Sequence, residues 1–252
     1  MKIKKIAFLI IILITGLFII NVDAKSIGFG LGKTGNNQVP NIPDSYLKMF
    51  KENKTYYTGD LNSNKIYLTF DCGYENGNTI AILDSLKEAN VEACFFITGH
   101  YLNTNEELVK RMIDEGHVVA NHSNKHKDFT KISNDAIKKE LEELEEMFFA
   151  KFNQHMPKLL RLPAGVFNQN VLEYTSNLGY VNLFWSVAYK DWEEDKVYGN
   201  LYAHNIIKDK VHNGAIILLH AVSKDNANDL AQIIKTLQNN YEFASVNDFI
   251  KI

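Results

Sequence analysis

From about Lys54 onward, short apolar runs alternate with segments of helical periodicity, and this alternation most narrows the fold. The runs are Lys65–Phe70, Glu92–Ile97, Val118–Ala120, Lys158–Leu160, Tyr180–Val187, Ala215–Leu219 and Glu242–Ser245. Runs this short, rich in β-branched and aromatic residues, read as strands buried on both faces. Helix candidates lie between them at 78–89, 105–115, 133–152, 170–178, 201–211 and 229–239. In 133–152, Ile137, Leu141, Leu144 and Phe148 recur at helical spacing behind Ser133 as N-cap. Gly179 stands where a helix ends in a left-handed residue. Strands alternating with helices imply a parallel sheet with helices outside. The reading is therefore α/β, a distorted or incomplete (β/α) barrel with about seven parallel strands.

Barrels of this kind carry their chemistry at the C-terminal ends of the strands. Asp71 follows the first run, in Thr69-Phe70-Asp71-Cys72-Gly73-Tyr74-Glu75-Asn76-Gly77. His122 and His126 follow the third run, and Arg161 the fourth, in Arg161-Leu162-Pro163-Ala164-Gly165. Asp191 and Trp192 follow the fifth, and His220 closes Leu218-Leu219-His220 after the sixth. A histidine pair at this spacing is a weak metal signal in a chain with eight histidines. Each residue also has an ordinary structural reading: Asp71 a helix cap, Arg161 a surface charge, His220 a core histidine, Asp191 a turn residue. Five strand ends delivering two acids, three histidines and an arginine to one rim make the joint structural reading the weaker one.

The net charge of −3, with no long Lys/Arg run outside the N-terminus, gives no argument for a nucleic-acid partner. Met1-Lys2-Ile3-Lys4-Lys5, an apolar run from Ile6 to Ile20 and Val22-Asp23-Ala24 read as a secretory signal or uncleaved signal anchor over 1–24. The chain is thus expected to be exported, secreted or held on the outer face of the membrane through that segment alone. Residues 25–53, aperiodic in their Gly-, Asn- and Pro-bearing first part, are expected to be a linker and N-terminal extension, and 54–252 the catalytic domain. Cys72 ends one strand and Cys94 begins the next, an offset too large for a disulfide.

The strand-end set resembles the polysaccharide deacetylase family, carbohydrate esterase family 4. The family's motifs T-F-D-D-G, H-[ST]-x-x-H, R-x-P-x-G, D-W and L-x-H each have a counterpart here, across about residues 64–250. Within it, Phe95-Phe96-Ile97-Thr98-Gly99-His100-Tyr101, Phe184-Trp185-Ser186-Val187-Ala188 and Leu219-His220-Ala221-Val222-Ser223-Lys224-Asp225-Asn226-Ala227 are most similar to the delta-lactam-biosynthetic de-N-acetylases of spore-forming bacteria. Amide hydrolysis then distributes the roles. His122 and His126 would hold a divalent metal, expected to be zinc, whose water is activated. Asp71 is the candidate base and His220 the candidate acid. Arg161 would grip Asp71, Asp191 would orient His220, and a backbone N–H near Tyr74 would help hold the oxyanion.

Two departures stand out. Cys72 occupies the place of the family's second acid, a metal ligand in much of the family. It reads either as a thiolate ligand, which would favour zinc, or as a small filler. Leu162 and Ala164 replace residues that are often Pro and a larger side chain, and Ala164 either widens the cleft or removes a contact. Tyr74 and Trp192 are candidate sugar-stacking surfaces. Leu218, Gly165 and His100 are further candidate substrate contacts, with Glu75 beside them; His117, His155, His204 and His212 read as structural. The resemblance implies removal of acetyl from peptide-free N-acetylmuramic acid in the peptidoglycan glycan strand, leading to muramic delta-lactam in spore cortex around the forespore. Two alternatives stand beside it: de-N-acetylation of N-acetylglucosamine in peptidoglycan or chitin-like oligomers, and a glycan-binding protein with a degenerate site.

Overall fold

The computed structural model describes residues 25–32 and 35–249. The expected signal segment, 1–24, lies outside the described residues. No described helix is long and apolar enough to cross a membrane.

In chain order the strands are β1 (Ile27–Gly28), β2 (Thr55–Tyr56), β3 (Lys65–Cys72), β4 (Cys94–Ile97), β5 (Val118–Asn121), β6 (Leu159–Leu160), β7 (Val166–Phe167), β8 (Val181–Leu183), β9 (Ile216–His220) and β10 (Glu242–Phe243). The helices are α1 (Asp44–Glu52), α2 (Thr79–Ala89), α3 (Gly99–Thr104), α4 (Glu106–Asp114), α5 (Asn134–Phe152), α6 (Gln169–Asn177), α7 (Tyr202–Lys210) and α8 (Lys224–Leu237). The main sheet runs β10-β3-β4-β5-β6-β8-β2, with β9 also paired to β3. All its pairs are parallel. Val187, beyond β8, bridges in parallel to Ile217 of β9, which curls the sheet back on itself. The result is the incomplete α/β barrel expected from the alternation.

Local chemistry sets the helix ends. The side chains of Ser133, Asn168 and Ser223 accept the backbone N–H of Ala136, Val171 and Asn226 at the starts of α5, α6 and α8. Asn90 and Asn153 close α2 and α5 in the left-handed conformation. Packing sets the rest. Ile66, Leu68, Phe70 and Cys72 of β3 face outward into one cluster with Ile82, Leu83 and Leu86 of α2 and Leu230, Ile233 and Ile234 of α8. Each such fully buried side chain contributes roughly 1.5–3 kcal/mol. Tyr67 faces the other way, with Phe96, Ala120, Leu159, Leu183 and Ile216 inside the curl. The two-residue period of a strand therefore turns Thr69 and Asp71 inward with Tyr67.

Three expectations need correction. The segment 25–53 is not a linker throughout: α1 is folded, and Phe29, Ile42 and Phe50 are buried with Phe167 and Phe184. Aromatic burial holds it, which aperiodic sequence does not reveal. The run Tyr180–Val187 is not one strand. It pairs with β6 and β2 up to Leu183, then bends and reaches β9 at Val187. Third, the helix candidates omitted α3; the Thr98 hydroxyl accepts the N–H of Tyr101 and starts it. The cysteines follow the expected offset: Cys94 lies opposite Thr69 and Cys72 opposite Ile97, and both are free.

Candidate active site

Asp71 sits at the end of β3, turned inward, and is met by Arg161 from just beyond β6. Arg161 is fully buried. Its Nη1 donates to Asp71 Oδ1 at 2.9 Å and to the Thr69 hydroxyl at 2.8 Å. Nε and Nη2 donate to the carbonyls of Leu183 at 3.0 Å and Phe184 at 3.3 Å. The guanidinium lies 4.2 Å from the centre of the Phe96 ring. Burial pushes the Asp71 pKa up, but the Arg161 charge, helped by His122 and His220, outweighs it and holds the carboxyl below the usual range. Asp71 is therefore ionised and fixed in direction.

The two histidines of the 122–126 loop stand next to it. Nδ1 of His122 donates to the Arg161 carbonyl at 2.8 Å, which leaves Nε2 with a free lone pair, 3.6 Å from Asp71 Oδ2. Burial lowers the His122 pKa to about 4, against the pull of Asp71, so the contact joins a carboxylate to a neutral imidazole. The His126 ring lies 4.8 Å from that of His122, centre to centre, and burial lowers its pKa too. Ser123 and His126 have φ of 67° and 53°, a tight left-handed loop. The Ser123 hydroxyl accepts the His126 N–H at 2.9 Å, and Glu140 of α5 accepts that of Lys125 at 2.7 Å. Gly99 lets the loop sit close, because a Cβ there would meet the Asn124 side-chain oxygen at 1.9 Å.

His220 ends β9 opposite Asp71 in register. Its Nδ1 meets Asp191 Oδ1 at 2.7 Å and its backbone N–H donates to Asp191 Oδ2 at 2.8 Å. Asn226 Nδ2 donates to the same Oδ2 at 2.6 Å, and its own Oδ1 accepts the Tyr189 hydroxyl at 2.6 Å. Burial acts to lower the His220 pKa, but the Asp191 charge and hydrogen bond prevail and raise it.

Asp71, His122, His126 and His220 line one cleft of about 640 Å³. Tyr74, His100, Trp192, Leu218 and Gly165, the expected substrate contacts, line it as well. Trp192 is 52% exposed at the rim, 5.8 Å from the His220 ring. Gly165 must lack a side chain, since a Cβ there would lie 2.6 Å from the Trp185 ring. Arg161 and Asp191 stand behind the cleft and act through their partners. Glu75 turns away instead, accepting from Thr79 and from Tyr101 at the start of α2. His117 and His212 bond to nearby backbone, His204 to Thr236 and Asn205, and His155 stacks on Phe149, all in keeping with structural roles.

Cys72 is the residue that does not join the site, which corrects its place among the candidate metal ligands. One step beyond Asp71 on the same strand, it faces the helices, fully buried in their cluster. Burial pushes its thiol well above the usual range, so it is not a thiolate. Cys72→Ala is expected to lower stability by on the order of 1 kcal/mol and to leave the divalent metal content of the protein unchanged. Measured metal content falling in step with the substitution would return Cys72 to the ligand set.

Several site residues carried no sequence signal. Phe29 lines the cleft from the segment expected to be linker, and Lys125 completes its wall; Trp185, which also lines it, lies in a segment matching the family but carried no site role. Glu140 did leave a trace. It lies three residues after Ile137 and four before Leu144, on the apolar stripe of α5, and a carboxylate at such a position needs a buried partner.

The polysaccharide deacetylase family pattern matches residues 58–183 of this chain. An uncharacterised 30.6 kDa protein of Geobacillus stearothermophilus is 45% identical over 91% of this chain and 87% of its own. The peptidoglycan-N-acetylmuramic acid deacetylase PdaA of Bacillus subtilis is 39% identical over 91% of this chain and 88% of its own. The chain belongs to the polysaccharide deacetylase family. The solved structure of Bacillus subtilis PdaA, described as a family 4 carbohydrate esterase, superposes with a TM-score of 0.86 over 90% of this chain and 97% of that one. In this family member Asp71, His122, His126 and His220 line one cleft, Arg161 and Asp191 stand behind it, and Cys72 faces the helices.

Proposed function

We propose that the protein removes the acetyl group from N-acetylmuramic acid of the peptidoglycan glycan strand, by zinc-assisted amide hydrolysis. The observation that carries the reaction class is the pair of oppositely tuned groups in one cleft: a carboxylate held ionised by Arg161 and an imidazole kept protonated by Asp191. The sugar rests on likeness to the Bacillus subtilis enzyme.

The donor set fits a divalent cation. His122 is locked by its Nδ1 bond to a carbonyl, as metal-ligating histidines usually are, and both rings are neutral. Among the described residues no group of three or more His, Cys, Asp and Glu side chains is placed to hold a metal, so these two imidazoles would be the protein ligands and water or substrate would complete the shell. When bound there, such an ion would acidify a water and polarise the acetyl oxygen. Asp71, beside His122 Nε2, would be the group that takes the proton from the attacking water as its oxygen bonds to the acetyl carbon; its lowered pKa makes it a weaker base, suited to a water such an ion would acidify. His220 gives its Nδ1-anchored ring's Nε2 proton to the sugar nitrogen as the C–N bond breaks, releasing acetate and a free amine. Trp192 and Tyr74 flank the sugar. The freed amine of a muramic residue can then condense with its lactyl carboxyl group, with loss of water, to give the delta-lactam of spore cortex. The Lys-rich start and apolar run of 1–24 support export to that compartment.

Mass spectrometry of glycan treated with the purified protein and zinc tests this. Loss of acetyl from peptide-free muramic residues is the expected result. Loss from glucosamine residues alone would reassign the substrate, and no loss with any divalent metal would leave a glycan-binding protein.

A further inference from the structure

Lys125 is the one lysine or arginine among the residues lining the cleft, and its ammonium makes no ion pair with any described residue. The neighbouring cations are committed. Lys127 pairs with Glu140 at 2.9 Å, and Arg161 is sealed behind the cleft with its donors spent on Asp71, Thr69 and two carbonyls. Glu143 of α5 takes the Asn124 amide at 2.6 Å and Lys139 at 3.6 Å, and it feels the Lys125 charge without forming an ion pair with it. The Lys125 backbone is held as firmly as a catalytic residue's. Its N–H donates to the buried Glu140 carboxylate at 2.7 Å, and the preceding N–H, of Asn124, donates to the Glu140 carbonyl at 3.0 Å. The same bonds that fix the histidine loop therefore also fix where Lys125, exposed and ion-paired with no described residue, stands beside His126.

We infer that Lys125 is a specificity-determining residue that binds a carboxylate carried on the sugar carbon next to the acetamido group. The inference rests on the muramic acid reading above. Chemistry fixes the geometry required. In muramic acid the acetamido group is on one ring carbon and the lactyl ether on its neighbour, so a cation that reads the lactyl carboxylate must stand beside the groups that attack the acetyl carbon. Lys125 directly precedes His126. Across the cleft, Ala164 offers no charge. An N-acetylglucosamine residue presents a hydroxyl there and gains nothing from the ammonium. A stem peptide would convert the carboxylate to a neutral amide and lose the attraction, so Lys125 would select for glycan already stripped of peptide.

The test compares acetate release from peptide-free muramyl glycan with release from the same glycan after its lactyl carboxylates are capped as methylamides. The readout is the ratio of kcat/KM, free acid over amide. Lys125→Gln is expected to lower that ratio about tenfold, the scale of a hydrogen bond to a charged group. Lys125→Arg should keep most of it, and Lys127→Gln, which removes a charge two residues away, should leave it at the wild-type value. An unchanged ratio in Lys125→Gln overturns the inference, as does an equal fall in Lys127→Gln. If the wild-type protein releases acetate from N-acetylglucosamine oligomers and none from either muramyl glycan, the substrate reading itself fails, and the role of Lys125 with it.

Discussion

Asp71→Asn is expected to lower kcat about 10³-fold, within the range that a positioned acid–base group supplies, with KM shifted far less. The substitution keeps the shape of the side chain and an oxygen for Arg161 Nη1, so substrate still meets the same walls. It removes the one carboxylate in the cleft able to take a proton from water. A second effect follows from the guanidinium. Arg161 is fully buried, and Asp71 is the anion that compensates it. Breaking a buried pair at one end typically costs about 3–5 kcal/mol. Here the Thr69 hydroxyl, the carbonyls of Leu183 and Phe184 and the Phe96 ring remain around the charge, which puts the loss at the lower end, about 3 kcal/mol. Single-turnover acetate release at saturating substrate, set beside thermal unfolding of the same sample, separates the two effects. A kcat within tenfold of wild type, in a sample still folded at the assay temperature, would take the base role from Asp71.

The strand ends were legible because their signal is local. An apolar run followed by a reactive side chain can be read without knowing what packs where, and Asp71, His122, His126, Arg161, Asp191 and His220 all obey that rule. Cys72 shows where such reading stops. Whether it faces the metal or the helices depends on whether β3 continues through position 72, since one more extended residue reverses the face. The pairing of Cys72 with Ile97 settles that, and it is a contact between segments that the chain separates by the whole of α2. Phe29 and α1 were missed for the same reason. Their burial comes from the rings of Phe167 and Phe184, not from any repeat in their own sequence. The bend after Leu183 was hidden inside one apolar run because two different neighbours bury it. Asn226 falls between these cases. Its position after the Ser223 cap is local, but its grip on Asp191 joins α8 to a loop far back in the chain.

That grip bears on the second large effect, in the pH dependence. Asp191→Asn is expected to move the alkaline limb of kcat/KM to lower pH and to reduce the plateau about 10²-fold. The sign follows from the forces on His220. Burial lowers its pKa, and the Asp191 charge and hydrogen bond, at 2.7 Å from Nδ1, do most to reverse that, with a smaller pull from Asp71. An acid with a raised pKa stays protonated as pH climbs, and its activity is lost when pH passes that value. Replace the charge with an amide and burial prevails, so the proton leaves at lower pH and the limb follows. The acidic limb should move much less, because it reports His122, His126 and Asp71, whose pKa values are depressed mainly by burial or by Arg161 and only in smaller part by the His220 charge. Asn at 191 can also turn its amide N–H toward Nδ1 and so favour the wrong tautomer, which is why the plateau falls as well as the limb. The asymmetry between the limbs is the decisive reading. A general loosening of the site would move both or neither, whereas an alkaline limb that stays in place while the plateau drops would remove His220 as the group that protonates the leaving amine.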